Sequence, residues 1–349
     1  MMNQAVLFER QPLNGRGCFA TTQQPLYKPM YRGVCYTGQR NSMLPGGDLM
    51  YLERFTLPDA EQEEELIMER ICETRDCAGF VDNPYPCRLF PARGLRELYF
   101  QKTTILYGGN GSGKSTLLNL IAEKLKLNRI APFNSGEMVK AYVDACRYEM
   151  AFDEEGFRHT VPDGSRIITS DDVFDYMLTV RTNNDEIGEC REEARDQWGT
   201  PRYGNTVKFR GMEDYDTVRM QLLARSRSVS RKQFIRRVAG EEVKLNSNGE
   251  TALRYFDERL KNDRLYCLDE PENSLSPKRQ QELAAMLEQL ARYCGCQFII
   301  ATHSPFLLAM NNARIYNLDA VPAQVQSWWE LENTKLYYRF FKQHRELFE

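Results

Sequence analysis

The chain has 349 residues, with 46 Lys+Arg against 49 Asp+Glu and a formal net charge of −3. That balance excludes whole-chain attraction to nucleic acid or to an anionic membrane. Hydrophobic residues at 42% and charged residues at 27% describe a globular chain, large enough to bury a core without metal or disulfide staples. Its length suits about two domains, or one large α/β domain with insertions. No apolar run is long enough to span a bilayer, so no membrane partner is expected. The opening MMNQAVLFERQPLNGRG lacks the basic and apolar regions of a signal peptide. The ten cysteines form no C-x-x-C pair, and Cys294 and Cys296 find only three histidines in the chain with which to build a zinc site. Reduced thiols and a cytoplasmic location are the expectation.

Residues 1–50 are rich in Gly, Pro, Gln and Asn, show no period, and read as an irregular N-terminal extension. From Tyr51 the pattern changes. YLERFTL reads as a strand, and 59–73 as a helix with Leu66, Ile67 and Ile71 at helical spacing and acids in its first turn. LRELYF and TTILY read as strands, 115–126 as a helix, and 136–152 as another helix. RIIT (166–169) is a short strand, followed by a helix with Ser170 as its cap. A charged helical insertion runs over about 180–243, acidic first and basic later in RSRSVSRKQFIRR (225–237). RLYCL and QFIIAT are strand-length apolar runs. The helix between them starts at Pro277, behind Ser276 as its cap. Alternating short buried strands and helices predict an α/β fold with a mostly parallel sheet flanked by helices.

Residues 108–115, GGNGSGKS, match G-x-x-x-x-G-K-[ST] directly between the strand TTILY and the helix that follows. Glycines let Gly108, Gly109, Asn110, Gly111, Ser112 and Gly113 curl so that backbone N–H groups converge on a phosphate. The helix start at Lys114, Ser115 and Thr116 adds a positive dipole end. Lys114 is expected on the β- and γ-phosphates of ATP, and the Ser115 hydroxyl on Mg²⁺.

RLYCLDEPENSLSP ends a buried strand with two acids. Asp269 at the strand tip is placed to hold Mg²⁺. Glu270, expected on the other side of the strand, is placed to orient or deprotonate an attacking water. QFIIAT runs into His303, on the carboxyl edge where ligands bind in such sheets, within reach of a γ-phosphate.

Taken in order, GGNGSGKS, LDEPENSLSP and ATHSP resemble the ABC-type ATPases, in particular the soluble SMC/RecF-like branch and the small stand-alone AAA-family ATPases of bacteria. The resemblance covers about 85–130, 166–178 and 245–345, and is absent for 1–50 and about 180–240. It implies a P-loop NTPase domain over 51–349. It also implies an S-x-G-E signature in LNSNGETAL, with Ser247, Gly249 and Glu250 facing a γ-phosphate held by a second copy. Two chains would then form a homodimer on ATP binding, with Asn273 to Ser276 as the loop that crosses between them.

Two departures stand out. The glutamine such ATPases place after the P-loop helix is missing. Asp171 or Asp172 stands there, either as its replacement at metal or water, or as a helix cap. The aromatic that stacks on adenine is either Tyr85 or Phe90, unless these are core.

The reading that follows is a soluble ATPase working as an ATP-gated dimeric clamp or switch, in DNA repair or anti-phage defence. The alternative is an ATP-binding regulatory subunit of a toxin or defence complex, controlling an effector protein encoded nearby. The six basic residues of 225–237 fit either a DNA contact or a solvated helix face. A transporter ATPase is disfavoured by the variant signature and the long insert. A small-molecule kinase is disfavoured by the Asp269–Glu270 pair.

Overall fold

A computed structural model describes residues 50–73, 83–133, 135–153, 155–226, 229–239 and 248–348. The expected extension 1–50 lies outside these, apart from Met50. In chain order the first elements are β1 (Leu52–Thr56), α1 (Ala60–Glu73), β2 (Glu97–Tyr99), β3 (Thr103–Tyr107), α2 (Lys114–Lys124), α3 (Glu137–Ala145), β4 (Arg147–Met150) and β5 (Arg166–Thr169). The charged stretch follows as α4 (Ser170–Gln197), α5 (Gly199–Tyr203), α6 (Tyr215–Arg225) and α7 (Arg231–Ala239). Then come α8 (Asn248–Arg259), β6 (Leu265–Asp269), α9 (Pro277–Tyr293), β7 (Gln297–Ala301) and α10 (Pro305–Leu308). The last are β8 (Arg314–Asn317), β9 (Gln324–Val325) and α11 (Glu332–Gln343).

The main sheet has the order β5-β6-β7-β3-β8-β9, parallel except for the edge pair β8 and β9. Strand alternation sorts its residues onto two faces. Leu106, Leu265, Cys267, Ile299 and Ala301 join one core with Leu117, Leu118, Leu120 and Ile121 of α2. Ile105, Tyr107, Tyr266, Leu268, Phe298 and Ile300 join the other, with Phe256 of α8 and Leu283 and Leu287 of α9. Strands buried on both faces need near-continuous apolar runs, which is why TTILY, LYCL and QFIIA carry so few charges. All five parallel strands point their carboxyl ends to one edge.

A smaller antiparallel sheet, β2-β1-β4, covers the first core. Gln297, fully buried at the start of β7, ties the two sheets together. Its carbonyl accepts the N–H groups of Tyr51 at 2.9 Å and Leu52 at 2.8 Å, and its amide donates to the carbonyls of Leu52 at 2.8 Å and Gln101 at 3.1 Å. Every polar atom of the buried amide is thereby used.

Two local expectations are corrected. Residues 136–152 are not one helix: α3 ends at Ala145, and 147–150 pair antiparallel with β1, Phe55 opposite Tyr148. That partner lies far back in the chain, so local periodicity does not reveal it. The helix after β5 is capped by Thr169, not Ser170. The Thr169 hydroxyl accepts the Asp172 N–H, and the Asp172 carboxylate accepts the Thr169 N–H at 2.8 Å.

The stretch α4–α7 builds a small core of its own from Ala194, Ala224, Val229 and Phe234, with the Trp198 ring 4.8 Å from that of Phe234. Two of the basic residues serve this local fold. Arg225 donates to the carbonyls of Pro201 at 3.1 Å and Gly204 at 2.5 Å, and Arg231 donates to the Arg195 carbonyl at 3.0 Å. No helix among the described residues is long and apolar enough to cross a membrane.

Candidate functional site

Between β3 and α2 the backbone turns through Gly111 at φ +77° and Gly113 at φ +93°, the left-handed region open to glycine. The turn is also tightly packed. A Cβ on Gly113 would stand 3.1 Å from Leu89 Cδ2, and one on Gly108 would stand 2.5 Å from the Ser112 hydroxyl oxygen. Lys114, 5% exposed, folds its ammonium back across the loop and donates to the carbonyls of Gly108 at 2.8 Å and Gly109 at 3.1 Å. The Ser112 hydroxyl is buried with no hydrogen-bond partner among the described residues. The loop thus gathers a buried cation and a free hydroxyl within a few residues of each other.

The tip of β6 closes one side. The Ser115 hydroxyl donates to Asp269 Oδ1 at 2.9 Å. Burial pushes the Asp269 carboxyl up to about 6; the charges of Glu270 and Glu272 push the same way, while the Ser115 hydrogen bond and Lys114 oppose them. A carboxylate held so far from its ordinary range gains from a cation beside it.

Glu270 does not continue the strand. Its φ is +46°, and its N–H donates to the Ala301 carbonyl at 2.8 Å. Alternation therefore no longer sets its direction, and it turns into the same site as Asp269 rather than to the far side. Its Oε1 lies 4.0 Å from Lys114 Nζ and 3.9 Å from His303 Nδ1, and its Oε2 accepts the Asn273 amide at 3.1 Å.

His303 follows the end of β7, its side chain 46% exposed. The turn that carries it is held by Glu272, whose side chain is 4% exposed. Glu272 Oε1 accepts the Thr302 hydroxyl at 2.5 Å and the backbone N–H groups of His303 at 2.9 Å and Ser304 at 3.2 Å. The five chemistry-bearing side chains Lys114, Ser115, Asp269, Glu270 and His303 thus meet at one sheet edge.

The family model described as "AAA domain, putative AbiEii toxin, Type IV TA system" matches residues 211–309, the span from α6 through the two acids to His303. That match spans less than a third of the chain, whose fold is α/β with a mostly parallel sheet flanked by helices. Among curated proteins none matches by sequence. Among solved structures, the SMC head domain from Thermotoga maritima aligns over 80% of this chain and 99% of its own length, at 12% identity and TM-score 0.35. The ATP-binding cassette MJ0796, in a dimeric post-hydrolysis state bound to ADP and Pi, aligns over 66% and 88% at 16% identity and TM-score 0.31.

The remaining expected site residues fall as follows. Ser247 lies outside the described residues. Gly249 and Glu250 open α8, beside the loop after β6: a Cβ on Gly249 would stand 3.7 Å from the Ser274 carbonyl, and Glu250 pairs with Arg279 at 2.6 Å. The neighbouring Asn248 is exposed. Asp172 is taken up by the cap of α4, its carboxylate accepting the Thr169 N–H, while Asp171 is exposed in the first turn, just past Thr169, which pairs in register with Asp269. Phe90 is wholly buried in the core, leaving Tyr85, which is 42% exposed and shares a hydrogen bond with the Thr116 hydroxyl.

Three site residues went unassigned in the sequence. Asp319, just past β8, accepts the Gly109 N–H at 2.8 Å. Arg93 donates to the Leu318 carbonyl and reaches the Gly111 carbonyl at 3.4 Å. Nothing local marks either residue. Glu272 is different, because an acid two residues past Glu270, in a stretch of otherwise small and polar residues, was open to notice.

Proposed function

We propose that this chain binds ATP with Mg²⁺ and hydrolyses it to ADP and phosphate in the cytoplasm. The observation that carries the proposal is the 2.9 Å bond from Ser115 to Asp269, with Lys114 and Glu270 4.0 Å apart beside it. The residues present fit the nucleotide. The loop is too tight for a Cβ at Gly108, and it holds a buried hydroxyl with no partner among the described residues.

In this reading the loop N–H groups from Gly108 to Gly113, with Thr116 at the helix start, cradle the phosphates, the Gly109 N–H leaving Asp319 and Lys114 leaving the two glycine carbonyls to bind phosphate oxygens. Ser115 and Asp269 would hold Mg²⁺, which when bound neutralises charge on those oxygens. Glu270 orients a water and takes its proton as the water oxygen bonds to phosphorus and the ADP oxygen departs. His303 donates to the γ-phosphate, Asp171 assists at the metal or its water, and Tyr85 stacks on adenine.

We further propose that two copies close head to tail on two nucleotides, Ser247, Gly249 and Glu250 of each completing the other's site. What supports this is the place of Gly249 and Glu250, half-buried in the first described turn of α8 and beside the loop after β6. ATP would favour the closed pair, making a clamp or switch. The description of the matched family supports a second setting, in which the ATPase regulates a toxin or defence effector. The DNA reading has weaker support, since Arg225 and Arg231 already hold carbonyls within the insert.

Calorimetric titration tests the proposal at its root. Lys114→Ala is expected to weaken MgATP binding roughly a hundredfold with the fold intact. Undiminished affinity would remove the P-loop from the account.

A further inference from the structure

Glu272 is a buried carboxylate that the hydrolytic reading leaves without a task. Three donors from three successive residues converge on one of its oxygens: the Thr302 hydroxyl at 2.5 Å, the His303 N–H at 2.9 Å and the Ser304 N–H at 3.2 Å. The same oxygen lies 3.5 Å from His303 Nδ1. Thr302 is wholly buried and Ser304 nearly so, leaving His303 as the one residue of the turn that reaches solvent. The bonds therefore frame the base of a single projecting imidazole.

The other end of Glu272 is equally fixed. Its carbonyl accepts the Leu275 N–H at 3.0 Å, inside the turn that starts at Glu270. Gln280, in the first turn of α9, repeats the link: its amide donates to the Leu275 carbonyl at 2.9 Å, and its carbonyl accepts the Ser304 hydroxyl at 2.7 Å. Two bridges thus clamp the loop after β6 to the turn after β7. The Glu272 bridge stands next to the reacting groups, with Glu270 on one side and His303 on the other.

We propose that Glu272 is a positioning residue for hydrolysis, holding His303 in fixed relation to Glu270. The proposal rests on the hydrolytic reading of the site. A carboxylate suits the task because hydrogen bonds to a charged oxygen are stronger than those to a neutral one, and one oxygen must hold three donors here. Misplacing a group that acts in the transition state lowers kcat more than it weakens nucleotide binding.

The test combines kinetics with an observable that needs no turnover. Glu272→Ala is expected to lower kcat by about tenfold or more with KM for ATP within about twofold. Glu272→Gln, which keeps a carbonyl acceptor, is expected to recover most of that loss. In a His303→Ala background, adding Glu272→Ala should cost less than about twofold, because the residue acts through the missing imidazole. An equal loss in both backgrounds, or a raised KM at unchanged kcat, would overturn the proposal and make Glu272 a staple only.

Separately, amide NMR of the nucleotide-free protein should show the His303 and Ser304 N–H resonances moving upfield and losing exchange protection in Glu272→Ala, with Gly113 and Lys114 unmoved. If the wild-type protein turns over no ATP, the hydrolytic reading fails, yet this spectrum still decides whether Glu272 sets the turn. Should the alanine variant not fold, Glu272→Gln carries the test alone, with a smaller upfield shift and a smaller kcat loss that again requires His303. Unmoved amides in either folded variant would refute the positioning role.

Discussion

Adding one methyl group to the phosphate loop separates a cradle from an ordinary glycine turn. In Gly108→Ala the new Cβ would stand 2.5 Å from the Ser112 oxygen and 2.7 Å from the Ser112 Cβ. The hydroxyl can rotate away, but the Cβ is fixed to the loop backbone. Restoring an ordinary 3.4 Å contact therefore requires the loop to open by about 0.7 Å. Backbone donors spread by that distance lose their convergence on one phosphate. The expected result is about a hundredfold weaker MgATP binding, close to 2.8 kcal/mol.

Gly109→Ala is the matched control, since its Cβ meets nothing nearer than Asp319 Oδ2 at 3.8 Å. Its affinity should stay within about twofold of wild type. Isothermal titration of both variants, with thermal unfolding to confirm the fold, decides the matter. Equal affinities for Gly108→Ala and Gly109→Ala would refute the cradle.

Two further predictions concern the frame around the site. Gln297→Leu strands the N–H groups of Tyr51 and Leu52 and the Leu52 and Gln101 carbonyls, and should cost about 3–6 kcal/mol in denaturant unfolding; a loss under about 1 kcal/mol would contradict the staple role. Glu63, buried against the Tyr142 hydroxyl and the Arg88 N–H, is held above the ordinary carboxylate range by burial. The folded state therefore binds its proton more tightly than the unfolded chain does, and stability falls as pH rises through the raised value. Thermal unfolding across pH should find Glu63→Gln more stable than wild type at neutral pH, with the gap closing in acid. A gap that widens in acid would reverse the sign.

What was legible in the sequence was whatever depends on neighbours along the chain. Strands such as TTILY and QFIIA show themselves because a buried parallel strand needs uninterrupted apolar residues. Lys114, Ser115 and Asp269 were placed because one loop and one strand tip fix them. What was hidden depends on distant pairing or on a single dihedral. β4 is a strand only because β1 lies beside it. Glu270 enters the site only because its φ turns positive, which alternation does not foresee. Asp319 reaches the loop through the strand order that sets β8 next to β3, a fact of topology rather than of motif.

The most direct test of hydrolysis at this site is phosphate release with Mg²⁺, wild type against Glu270→Gln, each measured beside its own ATP affinity. The substitution keeps the size of the side chain and removes the base. The account predicts steady release by the wild type, and at least about a hundredfold less by Glu270→Gln at nearly unchanged ATP binding. Equal release by the two proteins would contradict it.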